Sequence, residues 1–141
     1  MRLEYCADAI AIYQNKLVLV ERLNEPKGLA LPGGRRDYIA GKLEEVTSCA
    51  IREFEEETGL VLTVEDILGI YDTPQRDPRG PKISTVVYGS AYGAIRNEFG
   101  KTKVFLMELE ELDRYREQFV FDHYQIIKDW EQKIKREGKR K

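Results

Sequence analysis

The hydrophobic and polar positions change period along this chain, and each change marks an element. Residues 5–13 read as a strand, Gln14-Asn15-Lys16 as its turn, and residues 17–22 as the return strand of a hairpin. Residues 24–28 form a loop, and Leu29-Ala30-Leu31 a short strand that enters a Pro32-Gly33-Gly34 turn. From about Lys42 to Thr58 the period becomes helical: Ala50, Ile51 and Phe54 fall on one side with Thr47 among them, and Gly59 supplies the stop. Strand signals return over residues 60–64 and again over 66–72.

Residues 73–82 are a turn-rich loop. Residues 83–92 follow as a strand of β-branched and aromatic residues. A second loop, 93–102, leads into a strand over 103–107 and a short helix over 109–116. The last helix begins near Phe121. Asp122 is placed to cap it with Gln125 as the second half of a capping box, and Ile126, Ile127, Trp130 and Ile134 give it an apolar face. No internal repeat or low-complexity segment interrupts the order. Two helices on a mixed sheet predict an α/β sandwich, organised as one domain over residues 1–141.

Composition changes this picture little. A formal net charge of −2 gives no global pull toward nucleic acid or a membrane surface. The basic residues gather at the end, where residues 135–141 are expected as a flexible, solubilising tail. Cys6 and Cys49 stand in apolar surroundings without CxxC spacing, which reads as buried free thiols in a reducing cytoplasm. No run of residues approaches a membrane span, and no leader pattern opens the chain.

The chemistry lies between Leu31 and Leu60. On a helix, Glu53, Glu56 and Glu57 stand at i, i+3 and i+4 and share one face, while Glu55 points elsewhere. Such a run is in general a solvated surface. Here the preceding Pro-Gly-Gly brings bare backbone close to the carboxylates, and their repulsion becomes useful when a hard cation sits among them. Arg52, beside Glu53 and one turn from Glu56, is placed to hold a carboxylate in position.

Glu44, seven spacers and Arg52-Glu53-Phe54-Glu55-Glu56-Glu57-Thr58-Gly59-Leu60 resemble the Nudix box, with Phe54 at its aliphatic position. Gly34-Arg35-Arg36-Asp37 is similar to the family's Gly-Gly-x-x-acid opening. One departure stands out: nine residues separate Gly34 from Glu44 where the family pattern has five, so about four are inserted before the helix. The resemblance implies a Nudix-type α/β/α sandwich. It also implies a Mg²⁺ site (Mn²⁺ being possible) held by Glu53, Glu56, Glu57 and the Gly34 carbonyl. By the same resemblance, a later loop can carry the general base, for which Glu98 is the candidate. A solvated loop glutamate is its plainer reading. The lengthened link carries Arg35, Arg36 and Tyr38 beside the site and is expected to tune substrate choice.

Arg76-Asp77-Pro78-Arg79-Gly80 is, as structure, a β-turn. As chemistry, Arg76 and Arg79 suit bidentate contact with phosphate. This loop ahead of a Ser-containing strand, with Phe121-Asp122-His123 before the last helix, resembles the ADP-ribose pyrophosphatase branch of the family. His123, the one histidine, reads as structural. The branch implies hydrolysis of ADP-ribose to AMP and ribose 5-phosphate, a small nucleotide as partner, and a homodimer. Two alternatives accompany it: a nucleoside triphosphate pyrophosphohydrolase that sanitises oxidised nucleotides, and a non-catalytic regulator on the same fold.

Overall fold

The computed structural model describes residues 2–138. Strand β1 (Glu4–Tyr13) turns through Gln14 and Asn15, both at positive φ, into β2 (Lys16–Arg22). Short strands β3 (Gly28–Ala30) and β4 (Gly33–Arg35) follow, then a small hairpin of β5 (Tyr38–Ile39) and β6 (Lys42–Leu43). Helix α1 (Val46–Thr58) leads to β7 (Val61–Tyr71), β8 (Lys82–Tyr92) and β9 (Thr102–Met107). A 3-10 helix (Leu109–Gln118) and α2 (His123–Gly138) complete the order.

Seven strands form one mixed sheet in the order β3-β2-β1-β8-β7, with β4 added to β1 and β9 to β2. Of the described strand pairs in this sheet, β1 with β8 is parallel and the others are antiparallel. Alternation decides what each face buries. Ile10, Leu17, Leu19, Val86 and Tyr88 point to the side covered by Ile126, Ile127 and Trp130 of α2. Ala7, Ala9, Ala11, Val18 and Val87 point to the other side, against Cys49, Ala50 and Phe54 of α1. The three alanines of β1 leave room for α1 to sit close. The result is an α/β/α sandwich.

One edge of β1 is divided between two partners: Cys6 to Asp8 bond β4, whereas Ile12 and Tyr13 bond β2. Residues of both partners and of β1 line one cavity: Gly33 and Gly34 of β4, Val20 and Arg22 of β2, and Asp8.

Several expected boundaries move. The helix starts at Val46 rather than near Lys42, because residues 38–43 close on themselves as the β5–β6 hairpin. Thr47 is exposed, and Cys49 takes its expected place on the buried face. Gly33 and Gly34 belong to a strand, not to a turn. The two strands expected over 60–72 are one, β7, bent by irregularities between Val64 and Asp66 and between Ile67 and Gly69. The short helix is 3-10 in type. No capping box forms, since the Asp122 carboxylate is occupied by Arg76 and the Gln125 amide donates to Asp129 at 2.9 Å. Lys135 to Gly138, expected in the tail, continue α2, and residues 139–141 lie outside the described residues.

Candidate active site

The last two turns of α1 carry the acidic wall of the cavity. Glu53, Glu56 and Glu57 all line it, and Glu57 is buried. Close approach of the Ala7 carbonyl requires Gly33, and any side chain at Gly34 would displace the Glu53 carboxylate. A Cβ on Gly34 would lie 2.4 Å from Glu53 Oε1, and one on Gly33 would lie 2.0 Å from Asp8 Oδ1. The Gly33 N–H donates to Glu57 Oε1 at 3.5 Å. Glu53 and Glu57 lie side by side. Burial, and after it the charge of Glu53, pushes the Glu57 carboxyl well above the ordinary carboxylate range. Burial raises Glu53 as well.

Arg52 orders this wall from behind. Its Nε and Nη2 donate to the two oxygens of Glu44 at 3.0 and 2.8 Å, and its Nη1 donates to Glu53 Oε2 at 2.7 Å and Glu56 Oε2 at 3.1 Å. The hydrogen bond from Arg52 holds the buried Glu44 carboxyl down to about 2. The four-residue insertion leaves this contact intact. Glu44 N–H donates to Asp37 O at 2.7 Å, and Asp37 N–H donates to Glu44 Oε1 at 3.1 Å. The extra residues are thus pinched off as the β5–β6 hairpin, and Glu44 stands where Arg52 reaches it.

Bases line the same cavity of about 450 Å³: Arg22, Arg35, Arg79 and Lys82, of which Arg35 and Lys82 pair with Glu4. Phe121-Asp122-His123 ties it together. The buried His123 ring accepts the Leu31 N–H on Nδ1 at 2.9 Å and faces Asp8 Oδ2 at 3.8 Å from Nε2. Burial lowers its pKa, so a neutral ring pins the chain just ahead of β4. Asp122 accepts Arg76 Nε at 2.9 Å and Nη2 at 2.7 Å.

These contacts sort the expected residues. Glu53, Glu56, Glu57, Gly34, Arg35, Arg76, Arg79 and Glu98 all reach the cavity. Arg76, expected to grip phosphate, is instead buried with its guanidinium engaged by Asp122, and it fastens the 73–82 loop to the start of α2. Arg36 does not reach the cavity. Its Nε donates to Glu44 O at 2.9 Å, and it lines a smaller neighbouring hollow with Tyr5 and Tyr38. Glu98 stands on the cavity wall at the base of a turn in which Lys101 N–H donates to Glu98 O. Several charged cavity residues escape a reading of the sequence, among them Asp8, Arg22 and Lys82. Asp8 alone left a usable signal, as a lone charge inside an apolar strand. It accepts Ser84 Oγ at 2.5 Å.

The acidic wall fits a hard divalent cation. Two adjoining carboxylates raised by burial, set against backbone that has no Cβ, lower their mutual repulsion by holding one. Among the described residues no three acidic, His or Cys side chains already close on one metal position. Arg52 engages oxygens of both Glu53 and Glu56.

Fold and site together define a Nudix protein: the chain belongs to the NUDIX domain family, whose profile matches residues 4–130. Its nearer likenesses are more particular. It is 38% identical over 126 residues to an ADP-ribose pyrophosphatase of Methanocaldococcus jannaschii, an alignment covering 87% of this chain and 70% of that protein. It superposes on a bifunctional NMN adenylyltransferase/ADP ribose pyrophosphatase of Francisella tularensis, complexed with AMP and a manganese ion. The TM-score there is 0.78 and the identity 26%, over 90% of this chain and 40% of the other. The NUDIX domain of Shewanella oneidensis NrtR, complexed with ADP ribose, shares the fold with a TM-score of 0.81 at 23% identity, over 95% and 90% of the two chains.

Proposed function

We propose that the protein hydrolyses ADP-ribose to AMP and ribose 5-phosphate, with Mg²⁺ as its working cation and Mn²⁺ able to replace it. One observation carries the reading: an acidic helix face and a group of arginines with a lysine line a single cavity. A diphosphate ester is the ligand both suit, since its charge needs cations on every side. The 38% identical ADP-ribose pyrophosphatase supports the choice of ester.

Glu53, Glu56, Glu57 and the Gly34 carbonyl would hold the metal, which when bound offsets the diphosphate charge and makes water a stronger nucleophile. Arg52 keeps Glu53 and Glu56 oriented. Arg79, whose side chain is part exposed beside Asp77, and Arg35 hold the phosphates. Glu98, on the rim, takes the proton of the attacking water. Water adds to one phosphorus, the P–O–P bridge breaks, and AMP and ribose 5-phosphate leave.

A substrate panel with Mg²⁺ tests this: AMP released from ADP-ribose is expected. Pyrophosphate released from nucleoside triphosphates, with ADP-ribose untouched, would replace the reading with nucleotide sanitising. Two further features belong to the proposal. Cys6 and Cys49 as free thiols support a reducing, cytoplasmic setting. Ile67 and Ile70, exposed on the outer strand β7, support a homodimer. Sedimentation equilibrium should give twice the chain mass; a monomer at micromolar concentration would remove the dimer.

A further inference from the structure

Phe121 stands at φ 58°, the left-handed region, where a bulky side chain is strained. Anchors on either side impose that conformation. Val120 N–H donates to Leu29 O at 2.9 Å, and His123 Nδ1 accepts the Leu31 N–H at 2.9 Å. The ring is thereby set on the cavity wall, with the guanidinium carbons of Arg22 and Arg79 at 5.6 and 5.2 Å from its centroid. Both distances lie in the range of cation–π attraction.

The two arginines differ in how they are balanced. Arg79 has Asp77, with Nη2 at 2.8 Å from Oδ2. Arg22 donates only to backbone carbonyls, Pro26 O at 2.7 Å and Glu25 O at 3.3 Å, and makes no ion pair among the described residues. Burial, and then the charge of Arg79, hold its guanidinium below its ordinary value, which an anion between the two would reverse. Asn or Gly would take the backbone conformation of Phe121 with less strain. The ring is therefore a cost to the fold that its contacts with the two cations offset.

We propose that Phe121 is a positioning residue that seats Arg22 and Arg79 as a two-guanidinium clamp, and that Arg22 binds a phosphate of the substrate's diphosphate. The identity of the ester rests on the ADP-ribose reading above; the clamp itself needs only a diphosphate. Phe121→Asn, Phe121→Leu, Phe121→Tyr and Arg22→Met separate the possibilities. The Asn, Leu and Met variants should raise KM for ADP-ribose about tenfold with kcat within about twofold, the size of a cation–π contact or one phosphate contact. Phe121→Tyr keeps the ring and should restore KM. Phe121→Asn relieves the backbone and should melt no lower than the unmodified protein, so it remains informative if Phe121→Leu fails to fold.

Binding of inorganic pyrophosphate, followed by calorimetry, should weaken in parallel with KM. Unchanged KM and unchanged pyrophosphate affinity in Phe121→Asn and Arg22→Met would overturn the clamp. So would a lower melting temperature of Phe121→Asn with unchanged KM, which assigns the ring to packing. Absence of ADP-ribose turnover in the unmodified protein would sink the substrate reading alone, and pyrophosphate binding then decides the clamp.

Discussion

Glu57 occupies a place where its charge is unfavourable without a cation. Buried beside Glu53, it takes up a proton in the folded state more readily than in the unfolded chain. A carboxyl raised on folding weakens the fold as pH rises above the ordinary carboxylate value, because the unfolded chain then ionises freely and the folded one does not. In chelator at neutral pH, Glu57→Gln should therefore melt higher than the unmodified protein, by about 3 °C for each kcal/mol relieved. The difference should close below pH 4, where both forms are neutral. Saturating Mg²⁺ should reverse it. A Glu57→Gln protein that melts lower in chelator at pH 7 would show the carboxylate to be part of the packing. At this scale much was legible: the i, i+3, i+4 spacing of Glu53, Glu56 and Glu57 places all three on the cavity wall. The partners of the arginines were not. Arg76 and Arg36 look alike in sequence as phosphate ligands, and only the fold brings Asp122 to one and the Glu44 carbonyl to the other.

Among the elements, the inserted link is the instructive one. Nine residues between Gly34 and Glu44 suggest a displaced carboxylate, yet paired hydrogen bonds between Asp37 and Glu44 close the insertion off. Residues 39–42 make none of those bonds; Ile39 and Lys42 pair only with each other beyond them. Deleting them restores five residues between Gly34 and Glu44, with Tyr38-Leu43 as the turn. The deleted form should keep kcat/KM within about threefold, as surface loops tolerate changes of length. A loss beyond a hundredfold would mean that the hairpin itself shapes the site. The helix start, the β4 strand and the continuous β7 were missed for a common reason. Short or bent strands owe their existence to partners such as β1 and β8, and local sequence carries no record of those partners. The missing capping box has the same origin: Asp122 forms a tertiary ion pair in place of a local cap.

For the whole molecule, the α/β sandwich expected from two helices on a mixed sheet is found, with Ile10 on the face under α2 and Ala9 on the face under α1. The parallel pairing of β1 with β8 and the division of β1 between β2 and β4 were not legible, and residues of both partners line the cavity. Residues as distant as Asp8, Arg22, Glu57, Arg79 and Phe121 meet there, acids and bases in one cavity. A site for a diphosphate ester with a divalent cation is the consequence. Its most direct test is turnover of ADP-ribose with Mg²⁺ by the unmodified protein beside Glu56→Gln and Glu57→Gln, each checked to be folded. Equal amounts of AMP and ribose 5-phosphate should form with the unmodified protein, and both variants should lose about a hundredfold or more of that rate, the scale on which removal of a metal-site carboxylate acts. Unchanged turnover in both variants would contradict the assignment of the acidic wall to the reaction.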